Sequence, residues 1–569
     1  MTPQEKILAP GIDPAQPTIA QRLGHSALLS TTAMSAINVD EPNINKMARA
    51  IIENLPPHLI FRRDEQYLTI RQLPTQAETG IYPIQTREMT ARRLCSYLAD
   101  YLIFQKGTGD KAKRVSLSKE LAEKILAADV WYDRAAEIEL ILPVRLPIWG
   151  ETVNGRRTII LAPVGYDPAR QTYTAETLNY TTNTQRYTPA QLVTTWNRLM
   201  HTFPWGSESE QESAQVWKCA GGTIQGPCPS TNRSACCCLA LMLGQYCRLL
   251  VDDLMPIGIF NANQQGSGKS LLAWLCVAPV WGMAAGTAAP KNDEEMIKAI
   301  HAALLSRAPY HMLDDIPVLN NNTLNMVATS NEVTGRKLGG LDTFTARNHM
   351  QIFATGNSIG TSADVERRSL ICDLFLATSA LERKFKTPLT QKSLALPAWR
   401  ADLLRFMHSM VMNWSDAGCP TLVQGSSKPT FETFASIVGS IMVHNGFASP
   451  FTARQYVGAG GDLIGRTIKR LLAHIVTNVM GSTRTETYSI KKIVEISDAI
   501  ELTQTITGGK SPHHSMGKRL EQYRGHILLD EEGRKFEFGK REESGRSCYT
   551  FTRLDLPQAL DTSSITPAE

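Results

Sequence analysis

Asn263-Gln264-Gln265-Gly266-Ser267-Gly268-Lys269-Ser270 is the stretch on which the fold turns. A short apolar run precedes it, Pro256-Ile257-Gly258-Ile259-Phe260, and reads as a buried strand. Leu271-Leu272-Ala273-Trp274-Leu275 follows and reads as the start of a helix. Strand, Gly-rich turn, Lys-Ser, helix is the layout of a phosphate-binding loop. Backbone N–H groups of the turn and the positive end of the new helix cradle phosphate oxygens. The expected nucleotide-binding set is Asn263, Gly266, Ser267, Gly268, Lys269 and Ser270. Lys269 would reach the β- and γ-phosphates, and the Ser270 hydroxyl would ligate Mg²⁺. Asn263 stands where such loops usually begin with Gly. Asn tolerates the left-handed conformation better than other non-Gly residues, so a left-handed Asn263 is expected to open the turn.

A chain of 569 residues has room for about three or four domains. It contains no apolar run of about 18 residues or more, so no membrane span and no membrane partner are expected. Met1 to Gln16 is polar and Pro-rich and lacks the basic and apolar segments of a secretory signal, which points to a cytoplasmic protein. A net charge of +5 permits nucleic-acid binding without demanding it. Of 11 Cys, six fall between Cys219 and Cys247. Their spacing lacks the paired C-x₂₋₄-C ligands of a zinc site, so Cys236, Cys237, Cys238 and Cys247 read as small buried side chains on a helix.

Composition and periodicity divide the chain. Residues 1–40 read as a flexible lead. Residues 41–205 mix helices, at 45–54 and 88–104, with strands at 138–144 and 157–163, an α+β N-terminal domain whose role the residues do not name. Residues 206–380 alternate apolar strands with helical stretches, an α/β pattern with a mostly parallel sheet. Residues 381–455 are helical, with apolar residues recurring at three- and four-residue spacing from Trp399 to Trp414 and from Phe431 to Val443. Residues 456–555 run from helices into a strand-rich end, and 556–569 are polar, Pro/Ser/Thr-rich and expected to be disordered.

A phosphate loop needs acidic groups on a neighbouring strand. Pro309-Tyr310-His311-Met312-Leu313-Asp314-Asp315-Ile316 supplies them about 45 residues after Lys269, one crossover unit away. Asp314 would hold Mg²⁺, and Asp315, one methylene shorter than the Glu often found there, would orient or deprotonate the attacking water. A third apolar strand ends in Thr355-Gly356-Asn357, whose amide would bond the lytic water or the γ-phosphate. Arg367-Arg368 stands just before a fourth. Its planar forks suit phosphate oxygens, either from a neighbouring subunit or as a solvated pair on an edge.

In this order these motifs resemble the AAA+ ATPases. More narrowly they resemble the replicative helicases of phages, plasmids and bacterial mobile elements, relatives of the superfamily 3 and minichromosome-maintenance-like self-loading helicases. The narrower likeness also rests on Gly335-Arg336-Lys337-Leu338-Gly339, on Arg400, Leu404, Trp414 and Gly418, and on Phe431 with Gly446-Phe447. It covers roughly residues 230–455. The resemblance implies an α/β AAA+ core, a helical lid, ATP and Mg²⁺ as cofactors, and a ring, usually a hexamer, with ATP between subunits. Lys269, Ser270, Asp314, Asp315 and Asn357 would act from one subunit and Arg367 or Arg368, with Arg368 slightly favoured, from the next. Arg383 and Arg400 are both candidates for a further lid arginine.

The resemblance also implies a hairpin before the Thr-Gly-Asn strand that grips the DNA backbone, with Arg336 and Lys337 as its contacts. Basic residues on a Gly-flanked loop meet phosphates without reading sequence. The stretch 515–553 reads as a basic helix followed by an aromatic β-hairpin, a winged helix. There Lys518, Arg519 and Arg524 would contact DNA, although Glu521, Asp530, Glu531, Glu532, Glu542 and Glu543 nearly balance the charge and keep a protein partner open. The expected activity is that of an ATP-driven DNA helicase or translocase in replication of a mobile element, phage or plasmid, with a primase or other replication protein as a further partner. A nucleotide-switched DNA-binding initiator or defence-type ATPase that assembles without unwinding is the alternative.

Overall fold

The computed structural model describes residues 35–554 except 73–83, 283–286, 337–341, 377–382, 384–388 and 452–462. Shorter omissions fall at 108, 154–155, 176–177, 182–184, 208–209, 220–221, 289, 291–292, 320–321, 358, 482, 501, 508–510, 526, 530–533 and 544–545. Most of the expected flexible lead (1–34) and the expected disordered tail (556–569) therefore lie outside the described residues. Ser35–Asn38, within the expected lead, is a strand that pairs in parallel with Leu102–Lys106. That second strand also corrects the helix expected over 88–104. The helix runs only from Ala91 to Leu98, capped by Thr90, and the β-branched Ile103 and aromatic Phe104 that follow suit a strand. Together with helices Ile44–Glu53 and Lys119–Leu126 these elements enclose a separate core around Met47, Ile51, Leu94, Phe104 and Trp131.

The boundary expected at residue 205 falls inside one continuous core. Leu140, Leu142, Trp196 and Phe203 pack in the same apolar cluster as Leu241, Trp274, Phe353, Phe406 and Phe434. Helix α1, Pro189–Met200, enters this cluster behind a capping box in which Thr188 and Gln191 satisfy each other's backbone, with Pro at its first position. Helix α2, Arg233–Tyr246, is buried almost throughout. Its run of Cys, Ala and Gly keeps it thin enough for close approach. A Cβ on Gly244 would stand 2.6 Å from the Phe434 ring.

Five strands form the central sheet, all parallel: β1 Ile257–Ala262, β2 Thr287–Ala288, β3 Tyr310–Asp314, β4 Gln351–Asn357 and β5 Ser369–Leu374. Their order is β2-β3-β4-β1-β5. β1 lies between β4 and β5, and all six of its residues are buried, as expected for a strand covered on both faces. Helix α3, Lys269–Trp281, leaves the end of β1 and covers one face. Asp293–Leu305 and Asn322–Val327 belong to the crossovers on the other side, where Ile257, Ile300, Leu324 and Ile352 share a second core. Helix α4, Pro397–Asp416, packs on α3 and on α1. Glu432–His444 follows it and ends at Gly446, whose φ of +85° only Gly adopts without strain.

The last unit has its own core. Helices Leu463–His474, Ile490–Ala499 and Pro512–Leu520 pack on a four-stranded antiparallel sheet in the order Thr485–Ser489, Arg546–Arg553, Lys535–Glu543, Ile527–Leu529. Ile493, Met516, Leu520, Phe538, Tyr549 and Phe551 fill it. Among the described residues no helix is long and apolar enough to cross a membrane.

Candidate functional site

Parallel strands align their carboxyl ends at one edge of the sheet, and the loops leaving those ends share a crevice. Here β1, β3 and β4 deliver Asn263–Ser270, Asp314–Asp315 and Asn357 to that edge. The loop needs its glycines. Gly266 and Gly268 have φ of +76° and +97°, and a Cβ on Gly268 would stand 2.9 Å from the Phe203 ring. Gly268 is the N-cap of α3, so the first N–H groups of the helix open onto the loop.

Lys269 begins α3 and is nearly buried. Its Nζ donates to Asn357 Oδ1 at 3.1 Å and lies 3.8 Å from Asp315 Oδ1. One turn around the cluster, Ser270 Oγ donates to Asp314 Oδ1 at 2.9 Å. An ammonium, a hydroxyl, two carboxylates and an amide drawn from three strand ends thus converge. The donor set fits a phosphate with a hard cation: oxygen ligands from Ser270 and Asp314, and a charge-assisted donor from Lys269. Asp315 has a left-handed backbone, φ +55°, and its side chain is 65 % exposed.

Thr355 was not given a role from sequence, yet it organises both acids. Its hydroxyl donates to Asp314 Oδ1 at 2.5 Å and accepts from the Asp315 backbone N–H at 3.1 Å. A lone Thr in a buried strand carries no distinguishing pattern; only the register of β3 beside β4 puts it there.

Asn263 corrects an expectation. Its φ is not positive. Its amide instead brackets Leu376, with Nδ2 donating to the Leu376 carbonyl at 2.8 Å and Oδ1 accepting the Leu376 N–H at 2.9 Å. Gln264 Nε2 adds a bond to the same carbonyl at 3.0 Å. A side chain, rather than a permissive backbone, ties the start of the loop to the end of β5.

The two arginines before β5 differ in surroundings. Arg368 is only 16 % exposed. It pairs with Asp364 at 3.1 Å and donates to the Asn325 carbonyl and to Thr329 Oγ1, the latter at 3.2 Å, fastening the Asn322–Val327 helix. Arg367 is 50 % exposed, with Asp364 at 3.1 Å as its partner. Of the two, Arg367 faces solvent, whereas Arg368, slightly favoured from sequence as the outward-acting residue, is held inward. Arg400 is also moved from its expected place. It is buried in α4 and donates to the carbonyls of Ala278, Pro279 and Val280, capping the C-terminal end of α3, far from the loop at the other end of that helix. Arg383 does reach the loop, donating to the Ser267 carbonyl at 3.4 Å and to that of Thr202.

Arg336 ends the strand Glu332–Arg336, which pairs antiparallel with Thr343–Arg347. It is exposed, and it lies in a hairpin strand rather than in the loop expected from its flanking glycines. Gly335 is required for another reason: a Cβ there would meet the His301 ring at 2.6 Å. Lys337 lies outside the described residues. In the C-terminal unit Lys518 is exposed on Pro512–Leu520, and Arg519 is half-buried. Arg524 is exposed but 3.8 Å from Glu521, which also holds Lys540 at 2.8 Å. These basic residues do not join the nucleotide-site cluster.

Beside the loop lies a cavity of about 480 Å³, walled by Gly266–Gly268 and Leu271, by Trp196 and Phe203 from the α1 side, and by Trp399 and Phe406 of α4. Sequence reasoning gave residues 188–205 no role.

Compared with known proteins, the chain matches no family model and no curated protein. Among solved structures it is similar to the A form apo structure of the NrS-1 C-terminal region, at 10 % sequence identity and a TM-score of 0.33, over 87 % of this chain and 96 % of that one.

Proposed function

We propose that this protein is an AAA+-type ATPase that binds ATP with Mg²⁺ at the β1–α3 loop and uses its hydrolysis to move along DNA as a ring. The observation that supports it is the convergence on one crevice of Lys269 with Asn357 and Asp315, and of Ser270 with Asp314. In this reading Lys269 and the N–H groups of the loop hold the phosphates. Ser270 and Asp314 would hold a Mg²⁺ ion, and such an ion would supply charge neutralisation at the phosphates. Asn357 and Asp315 face the attacking water. Arg367, exposed before β5, acts on the site of a neighbouring copy. Arg336 and Lys337 contact the DNA backbone, and Lys518 of the last unit offers a further contact.

A second reading is a nucleotide-switched assembly that hydrolyses slowly and does not unwind. The exposed, short Asp315 carboxylate favours it, since a water-activating base works best when held in place.

The test is the ATPase rate of the full chain with and without single-stranded DNA, for wild type and Lys269→Ala. A several-fold rise with DNA, and a loss of roughly 100-fold or more in Lys269→Ala, is expected. Turnover indifferent to DNA sinks the translocase reading in favour of the switch. Turnover that survives Lys269→Ala sinks both.

A further inference from the structure

The cavity beside the phosphate loop contains a group that its own fold leaves unsatisfied. On α4, Trp399, Asp402, Leu403 and Phe406 share one face by helical spacing and line the cavity. Three of the four are apolar; Asp402 is the only acid among the described lining residues. Its side chain is 18 % exposed, and Oδ1 stands 3.6 Å from Arg405. Oδ2 is buried and has no partner among the described residues. A carboxylate oxygen left so in an apolar wall is unfavourable unless something hydrogen-bonds it. Ser267 lines the same cavity, and its Oγ is also buried without a partner among the described residues. Burial correspondingly raises the Asp402 carboxyl above the usual carboxylate range.

A volume of about 480 Å³ suits a small ligand, and the aromatic walls suit a flat one. The loop that would hold phosphates forms the cavity's floor, so a base attached to those phosphates is the ligand within reach. We propose that Asp402 reads that base, its carboxylate accepting a hydrogen bond from the exocyclic amino group of a purine seated between α1 and α4. This rests on the nucleotide-binding reading above. The carboxylate turns about a soft terminal torsion, so either oxygen can face the ligand at little cost. Adenine and guanine share the amino donor, at different ring positions. The walls at Trp196, Phe203 and Trp399 hold the ring, and Asp402 selects for the amine.

The experiment measures competition binding to the full chain by two matched pairs. ATP is set against purine riboside triphosphate, which lacks only the 6-amino group, and GTP against inosine triphosphate, which lacks only the 2-amino group. In wild type the aminated member of one pair should bind about tenfold tighter or more, and the pair that responds identifies the base. Asp402→Leu should bring that pair to parity, with Asp402→Ala in its place if leucine is not accommodated. Parity within both pairs in wild type overturns the proposal without any substitution, as does a preference that survives Asp402→Leu. If none of the four binds, the nucleotide-binding reading falls and takes this proposal with it. If all bind but only the Asp402 outcomes fail, the nucleotide reading stands alone.

Discussion

Thr355 Oγ1 donates to Asp314 Oδ1 at 2.5 Å and itself accepts the backbone N–H of Asp315 at 3.1 Å. One side chain on β4 therefore holds the Asp314 carboxylate at the end of β3 and the backbone of Asp315 just after it. Thr355→Val keeps the shape and removes both bonds. It should cost about 1–3 kcal/mol of stability, because the Asp314 oxygen and the Asp315 N–H each lose a partner. It should also lower nucleotide turnover about tenfold or more, while Thr355→Ser stays near wild type. Chemical denaturation and steady-state hydrolysis, run together, check this. Normal turnover in Thr355→Val would show that the acids are positioned without the hydroxyl.

Asn263 and Leu376 make the second case. If the amide bracket matters and the backbone conformation does not, Asn263→Gly should be no better than Asn263→Ala. Both should lose about 1–3 kcal/mol and weaken nucleotide binding, since the loop start is released from β5. Recovery of binding in Asn263→Gly would point to a left-handed requirement instead.

Arg367 and Arg368 are adjacent but should behave as different residues. Arg368→Ala removes a buried guanidinium that holds Asp364, Asn325 and Thr329 together, so a drop of several degrees or more in Tm is expected. Arg367→Ala should leave the melting curve within about 0.5 kcal/mol of wild type, as surface substitutions do, yet lose most DNA-stimulated hydrolysis. Adding Arg367→Ala protein to an inactive Lys269→Ala sample should restore hydrolysis above that of either variant alone, because a complete site then combines Lys269 of one copy with Arg367 of the next; no restoration would show that Arg367 does not act across copies.

The His408 imidazole joins α4 to α2 through the Tyr246 hydroxyl, at 3.0 Å. Burial, helped by the charge of Arg186, lowers its pKa to about 4. A histidine kept neutral in the fold binds its proton more readily when unfolded. Its stabilisation is thus complete above the unfolded value of about 6.5 and is lost as pH falls through 4. Up to roughly 3 kcal/mol should disappear over that window in wild type. His408→Gln should flatten the profile there. Parallel wild-type and variant profiles would assign the acid sensitivity to other groups.

Much of the site was legible because its chemistry is local in sequence. Gly266, Gly268, Lys269 and Ser270 lie within five residues, and a Gly-rich turn between an apolar strand and a helix leaves few alternatives. Asp314 and Asn357 were legible because each ends an apolar run, where a polar residue has little reason to be unless it faces an edge. What was not legible depends on pairs far apart in the chain. Asn263 meets Leu376 across 113 residues, Thr355 meets Asp314 across 41, and Arg400 meets the end of α3 across about 120. Nothing local in the chain marks any of these pairings. The packing of Trp196 and Phe203 into the same core as α2 and α4, across the expected boundary at 205, was illegible for a similar reason, since no local pattern marks it.

The sequence by itself determined that a phosphate-type loop joins a buried strand to a helix, that acids and an amide end the neighbouring strands, and that a small basic and aromatic unit closes the chain. Those are statements about periodicity and turn chemistry, which act over a few residues. Only the tertiary structure decided which strand neighbours which, and so which hydroxyl holds which acid. It also decided that Arg368 is bound inward while Arg367 faces water, and that Asp402 of α4 lines an aromatic cavity at the loop. The reason is that register, helix packing and burial are set by the whole core at once, and a side chain's partner is chosen by that geometry rather than by its own identity.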